Sequence, residues 1–273
     1  MATIFNVLLN YLLIFGNFGF WRLEVSGVAL ATVVSLTFNL VLYIFISNKE
    51  IKPIERLRAN LAQMRLILKE SRFLVGQELL EGSIFIIGTN ALLSRINMLE
   101  NYIQIMPIVS VVFIAMHMYS TAVLTLLSRN SASGTKAYLL NLPKVAAKIA
   151  SLISLILGIF FLFLRFEVIY LLSPDAEFSY FTAGLLGMTL LANSLSPVYN
   201  IYRSALQALA ESDYVLYRTF FVNVGSFILV LVLVLFWEFG YEALMGGIFF
   251  NYLVLSILFY LKYARKVRNE AIL

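Results

Sequence analysis

The chain has 273 residues, of which 61% are hydrophobic and 13% charged, whereas a soluble domain has roughly 45–50% apolar and about 25% charged residues. This composition excludes an ordinary water-soluble domain. The sequence contains no Cys, which excludes a disulfide framework, thiol redox chemistry and a Cys-containing zinc site. The net charge of +5 comes from short basic clusters between long apolar runs, a pattern typical of membrane topology signals rather than of nucleic-acid binding.

Long apolar runs dominate the chain from beginning to end. A helix needs about 20 mainly apolar residues to cross a bilayer. Eight such runs lie at approximately 3–20, 26–47, 73–96, 102–127, 147–165, 178–200, 216–236 and 243–261. The sequence therefore predicts an all-α, polytopic membrane helix bundle with eight transmembrane helices.

The basic residues between these runs indicate the orientation. If all eight runs cross the membrane, 17 of the 20 Lys and Arg fall on one side, and Arg22, Arg95 and Arg165 fall on the other. Cytoplasmic loops carry the excess of Lys and Arg. We therefore expect an integral protein of the plasma (cytoplasmic) membrane, surrounded by membrane lipids, with both termini in the cytoplasm.

The connection at 48–71 is the longest and separates two blocks of runs. Its apolar residues recur at helical spacing between Arg and Lys, which favours an amphipathic helix at the cytoplasmic interface, although a solvated charged linker is the alternative. These residues are Ile54, Leu57, Leu61, Met64 and Leu68. We expect three parts: helices of one lobe at 1–47, the linker at 48–71, and a second lobe at 72–273.

A weak internal repeat supports this division. Phe5-Asn6 and Phe38-Asn39 in the first pair of runs correspond to Val222-Asn223 and Phe250-Asn251 in the last pair. The repeat has an offset of six runs, so runs three to eight would form one six-helix lobe and the first two runs would be the last two helices of a preceding lobe. Internal repeats of this kind are typical of transporter folds.

Two acids interrupt the third run. A charge near the bilayer centre costs on the order of 2.5–3.5 kcal/mol even on the translocon scale, so such a residue tends to face a cavity and to have a function. Glu78 and Glu81 share a helix face at spacing three, and Gln77 precedes Glu81 by four residues. We predict that Glu81 and Glu78 bind a coupling cation, with the alternative that Glu78 reaches the interface or pairs with a basic residue.

Several segments resemble the multidrug and toxic compound extrusion (MATE) transporters. The stretches 6–20 and 27–35 are similar to the family's fifth and sixth helices, Glu81-Gly-Ser-Ile-Phe85 to its seventh, and Tyr202-Arg203-Ser-Ala-Leu-Gln207 to the end of its tenth. The resemblance implies helices five to twelve of a twelve-helix transporter, with an N-terminal lobe whose first four helices are missing here. It also implies export of small organic cations or drugs by antiport with H⁺ or Na⁺, with no other cofactor and no enzyme activity.

The sequence departs from the family at three points. Trp21 stands where the family usually has Pro, and Ala210 stands where it has Gly. Some members carry an acid in the tenth helix, but the run 178–200 ends in uncharged polar residues. From these, and from the residues around Glu81, we predict a substrate cavity formed by Gln77, Phe85, Asn193, Tyr199 and Asn200.

Other residues favour packing roles. Gly27, Ala31 and Ser35 lie on one face of the second run and would let a neighbouring helix approach closely. His117 is alone in the fourth run, which favours packing over a proton relay. No phosphate-binding loop or catalytic constellation is found in the sequence.

Two other functions are compatible with the sequence. One is a flippase for lipid-linked saccharides from the same superfamily, which would need a cationic rather than an acidic lumen. The other is a non-transporting membrane protein, either a remnant or a partner that assembles with separately encoded helices.

Overall fold

A computed structural model describes residues 2–19, 22–47, 61–130, 136–173, 175–237 and 239–270, and within these ranges it is helical with no strand. The all-α fold class predicted from the apolar runs is confirmed. The helices in chain order are α1 Ala2–Phe15, α2 Glu24–Ser47, α3 Leu61–Leu79, α4 Ile86–Arg95, α5 Leu99–Val112, α6 Ile114–Asn130, α7 Lys136–Phe163, α8 Arg165–Leu172, α9 Ala176–Asn193, α10 Ser196–Ala208, α11 Ser212–Phe236 and α12 Tyr241–Glu270.

Five stretches within these ranges are long and apolar enough to cross a membrane, and a sixth is formed by α5 and α6, which meet at Phe113 with a bend of 49°. The five are Glu24–Ile46, Ala137–Phe163, Ala176–Ala208, Ser212–Phe236 and Tyr241–Arg268. The first predicted run coincides with the shorter helix α1, and the third is divided between α3, a π-helical turn and α4. Eight crossings therefore remain a prediction. The short helix α8 was not predicted.

The described residues form two compact units, 1–66 and 67–273. In the first unit, α1 and α2 are joined by a turn in which Gly16 and Gly19 have φ angles of +69° and +86°, a backbone region that glycine adopts readily. The buried face of α2 carries Gly27, Ala31 and Ser35. A Cβ on Gly27 would lie 2.8 Å from the carbonyl oxygen of Leu13 in α1, so this face packs as expected.

The predicted linker is only partly covered. Ile54 and Leu57 lie outside the described residues. Met64 and Leu68 lie on α3, where they are exposed. The same helix continues past residue 71 into the third predicted run. An interfacial role for this segment and the division into lobes remain predictions.

Helix α10 is central to the second unit. It packs against α6, α7 and α12, and its residues Ile201, Ala205 and Leu206 are fully buried. Directly after α10, Glu211 forms ion pairs of 3.0 Å with Lys262 and 2.6 Å with Lys266 of α12. These contacts fix α10 and α12 relative to each other, and α10 carries much of the site described below.

The orientation can be tested at the two ends of the bent α5–α6 pair. Ser94 lies in the last turn of α4, shortly before α5, Ser128 lies in the last turn of α6, and both are exposed. Because the chain has no Cys, Ser94→Cys and Ser128→Cys each create a single thiol. We expect an impermeant maleimide to label Ser94→Cys only from outside and Ser128→Cys only from the cytoplasm. Labelling of both from one side would refute the predicted topology.

Close packing of α11 and α12 can be tested with adjacent glycines. A Cβ on Gly247 would lie 2.1 Å from Cγ2 of Val230, whereas one on Gly246 would meet no atom within 4 Å. We expect Gly247→Ala to lower stability by about 1–3 kcal/mol, the usual cost of overpacking, and Gly246→Ala to have little effect. Thermal unfolding in detergent measures both. Equal melting temperatures for the two variants would contradict the close approach.

Candidate cation site and cavity

Glu81 lies in a π-helical turn, Leu80–Phe85, between α3 and α4. Such turns widen the helix and are frequent at functional sites. The side chain of Glu81 is about three-quarters buried, with 23% exposed. The sequence predicts an acid within an apolar run at this position, and the structure shows which side chains bind it.

Three side chains donate hydrogen bonds to the Glu81 carboxylate. Gln77 Nε2 donates to Oε1 over 3.2 Å, as expected from their spacing of four residues. The hydroxyl of Tyr199 in α10 donates to the same oxygen. Arg203, one turn further along α10, donates from Nη1 to Oε2 over 2.5 Å. A charged pair at this depth can be tolerated because the charges are paired and hydrogen-bonded.

Arg203 bridges the two acids. Its Nη2 donates to Oε1 of Glu78 over 3.2 Å. The side chain of Glu78 is 73% exposed, whereas that of Arg203 is 17% exposed. The alternative that Glu78 pairs with a basic residue is therefore what the structure shows. Two carboxylates share one guanidinium, which leaves one uncompensated negative charge when both acids are ionised.

Contacts from α10 and α12 support the site. Gln207 Nε2 of α10 donates to Oε1 of the buried Gln77 over 3.0 Å. The ring of Tyr199 packs against Tyr252 and Phe259 of α12, with ring centroids 5.4 and 5.7 Å apart. The donors therefore come from packed helices, which keeps them oriented toward the carboxylate.

A cavity of about 400 Å³ opens beside this cluster. Its wall combines Glu81 with aromatic, aliphatic and amide side chains. Asn223 of α11 and Asn251 of α12 are both buried and lie in this wall, where the Asn251 amide donates to Asn223 over 2.8 Å. The described residues that line it are Glu81, Phe85, Ile86, Thr89, Asn90, Tyr102, Ile103, Met106, Asn193, Tyr199, Asn223, Ile248, Asn251 and Tyr252.

The predicted cavity residues divide into two groups. Phe85, Asn193 and Tyr199 line the cavity together with Glu81. Gln77 lies behind Glu81 in the hydrogen-bond network. The amide of Asn200 instead contacts Met116 Sδ and the Ser196 carbonyl.

Two other residues differ from expectation. His117, expected to pack, has an exposed side chain on α6. Arg203, one of the 17 basic residues expected on the cytoplasmic side, lies within α10 and pairs with the two acids.

The sequence alone does not identify Arg203 as part of the site. Its partner Glu81 is 122 residues away in the chain, so the contact depends on how α10 packs. The sequence does contain one indication. Arg203 lies one helical turn after Tyr199, and a basic residue inside an apolar helix usually pairs with an acidic one.

Comparison with solved structures identifies the fold. Over all of its length the chain is similar to the MATE transporter ClbM in complex with Rb⁺, with 20% identity, a TM-score of 0.75 and coverage of 61% of that chain. It is similar over 98% of its length to an outward-facing multidrug resistance MATE family transporter of the MOP superfamily, with 17% identity, a TM-score of 0.78 and 61% coverage.

A third similar structure is a MOP superfamily transporter from Pyrococcus furiosus, described as having a binding pocket of reversed polarity that suggests a different function. The identity is 17%, the TM-score 0.75 and the coverage 98% of this chain and 61% of that one. No protein-family model matches the sequence, and no curated protein matches it significantly. The chain thus has the fold of MATE transporters, a membrane helix bundle, and spans about 61% of the length of these relatives.

Proposed function

We propose that the protein is a MATE-type secondary transporter that exports organic cations in exchange for H⁺ or Na⁺, and that Glu81 is the residue where the two cations compete. The observation that carries the proposal is the placement of Glu81. Its carboxylate lies in the cavity wall and is also bound by Arg203.

The charges of the cluster support exchange of one monovalent cation. Glu78, Glu81 and Arg203 together carry one negative charge, so one H⁺ or Na⁺ makes the cluster neutral. A proton on Glu81 weakens its ion pair, and the guanidinium is already 3.2 Å from Glu78, to which it can then move. A MATE transporter of this fold is described in complex with Rb⁺, which supports a monovalent cation as coupling ion.

The rest of the cavity suits an organic cation with aromatic or aliphatic groups. Aromatic rings attract cations through their faces, and Phe85, Tyr102, Tyr199 and Tyr252 all line the wall. Mostly apolar pockets with a few placed polar groups are typical of small-molecule sites. No Lys or Arg is found among the described residues of this wall, which weighs against the flippase alternative, because a pyrophosphate-linked lipid needs cationic partners.

The proposal can be tested by ligand binding to the purified chain in detergent. We expect tetraphenylphosphonium to bind, to be displaced as the pH is lowered or as Na⁺ is added, and farnesyl pyrophosphate not to compete. Competition by farnesyl pyrophosphate, without competition by H⁺ or Na⁺, would favour the flippase. Absence of binding by both probes would contradict a functional cavity in this chain.

A further inference from the structure

A second depression lies between α7, α10 and α12 and shares no lining residue with the cavity beside Glu81. It is an open groove of about 530 Å³, with Lys144 and Lys148 at one end. The two lysines are one helical turn apart on α7 and both are exposed.

Within the described residues, no acid pairs with the positive charge of the groove. Helices α6, α7 and α10 contain no Asp or Glu, and the acids of α12, Glu242 and Glu270, lie in its first and last turns. Neither Lys144 nor Lys148 forms an ion pair within the described ranges. An anion from the surroundings therefore fits the end of the groove at Lys144 and Lys148.

The other part of the groove is apolar and continues along the membrane-spanning part of α7. Leu152 and Leu155 line it and are 57% and 60% exposed. No charged residue follows Lys148 on this helix. The remaining 15 residues, 149–163, extend over roughly 22 Å at 1.5 Å per residue, which is most of one bilayer core.

The opposite wall is formed by two tyrosines. The ring of Tyr202 in α10 packs edge to face with Tyr260 in α12, with centroids 5.3 Å apart. Tyr202 is buried and therefore fixed, whereas Tyr260 is 48% exposed. Tyrosines are enriched where one end of a ring is apolar and the other meets the polar interface.

We propose that this groove binds one anionic glycerophospholipid of the cytoplasmic leaflet, with its phosphate at Lys144 and Lys148 and an acyl chain along Leu152 and Leu155. Basic pockets between transmembrane helices on the cytoplasmic side are suited to anionic headgroups. A soluble phosphate would use the lysines but not the exposed leucines. Because one groove combines two lysines with exposed leucines, a lipid fits it better than a free phosphate does.

The test uses a fluorescent reporter inside the groove. Trp21 and Trp237 are the two tryptophans of the chain, so Trp21→Phe and Trp237→Phe with Leu152→Trp give a single emitter. In vesicles we compare quenching by brominated phosphatidylglycerol and brominated phosphatidylcholine. We expect a preference for phosphatidylglycerol of about fivefold for each lysine, or roughly 30-fold in all, from the usual attraction of one Lys to an anionic surface.

Two matched variants separate a local site from general surface charge. In the reporter background, Lys144→Gln with Lys148→Gln should abolish the preference. Arg129→Gln with Arg265→Gln removes the same charge at exposed positions outside the groove and should preserve it. Circular dichroism checks that both fold.

Four results would overturn the proposal. One is an equal affinity for the two lipids in the reporter protein, and another is an unchanged preference after both lysines are replaced. The third is an equal loss in both double variants, which would assign the effect to surface charge. Addition of inorganic phosphate should leave the lipid preference intact. Loss of the preference when phosphate is added is the fourth such result, and it would identify a site for free anions instead.

Discussion

Replacement of Glu81 by Gln should weaken tetraphenylphosphonium binding at pH 8 by about tenfold or more and remove the competition by H⁺ and Na⁺. Gln preserves the shape but has one acceptor oxygen where Tyr199 and Arg203 donate to two different carboxylate oxygens, and it has no proton to exchange. The loss corresponds to about 1.5–3 kcal/mol, the range for an interaction with a charged group. In the parent, lower pH should weaken binding because protons compete for the carboxylate.

Two controls accompany this variant. Glu78→Gln should have a smaller effect, because the Glu78 side chain is 73% exposed and water screens its charge. Glu167→Gln, at an exposed position in α8, should leave binding unchanged. If Glu81→Gln retains the pH dependence of the parent, the Glu81 carboxyl has a structural role and does not exchange cations.

Replacement of Arg203 by Gln should have opposite effects on binding and stability. The guanidinium of Arg203 pairs with the Glu81 carboxylate and therefore competes with any cation that binds there. Removal of Arg203 should tighten Rb⁺ or tetraphenylphosphonium binding by roughly tenfold, equivalent to about 1.4 kcal/mol. The fold should be weakened, because Glu81 loses its charged partner. Breaking a fully buried pair costs 3–5 kcal/mol, and we expect about 1–3 kcal/mol here because both side chains are partly exposed.

Measurement of affinity by equilibrium dialysis and of unfolding in detergent separates two roles for Arg203. A purely structural role would weaken both binding and stability, whereas a competing cation gives tighter binding with a less stable fold. Arg203→Lys should retain the positive charge but lose the planar guanidinium, whose two terminal nitrogens reach both acids. Its cation affinity and its stability should therefore lie between those of the parent and those of Arg203→Gln.

The helical fold follows from the sequence because the length of an apolar run decides whether a helix can cross a bilayer. Local spacing also predicted the contact of Gln77 with Glu81, which is a neighbour interaction on one helix. The interruptions of these helices were not predicted. The π-helical turn at Leu80–Phe85 and the bend at Phe113 arise within continuous apolar runs, in which residue types alone do not reveal a change in backbone geometry.

The partners from α10 were only partly predictable. Tyr199 was expected in the cavity because it is polar near the end of an apolar run, and the structure places it there. Arg203 resembles a topology charge at the end of a helix, and only the packing of α10 shows that it faces Glu81. Side chains more than 100 residues apart come together through tertiary packing, which the pattern of one helix does not specify.

The most direct test of cation exchange at Glu81 is the displacement of bound ²²Na⁺ or a bound proton by tetraphenylphosphonium in the purified parent protein. Proton release is read from calorimetry in buffers of different ionisation enthalpy, and ²²Na⁺ release from equilibrium dialysis. We expect about one monovalent cation to leave for each organic cation bound, as the single net negative charge of Glu78, Glu81 and Arg203 requires. Binding of the organic cation without release of either ion would contradict it.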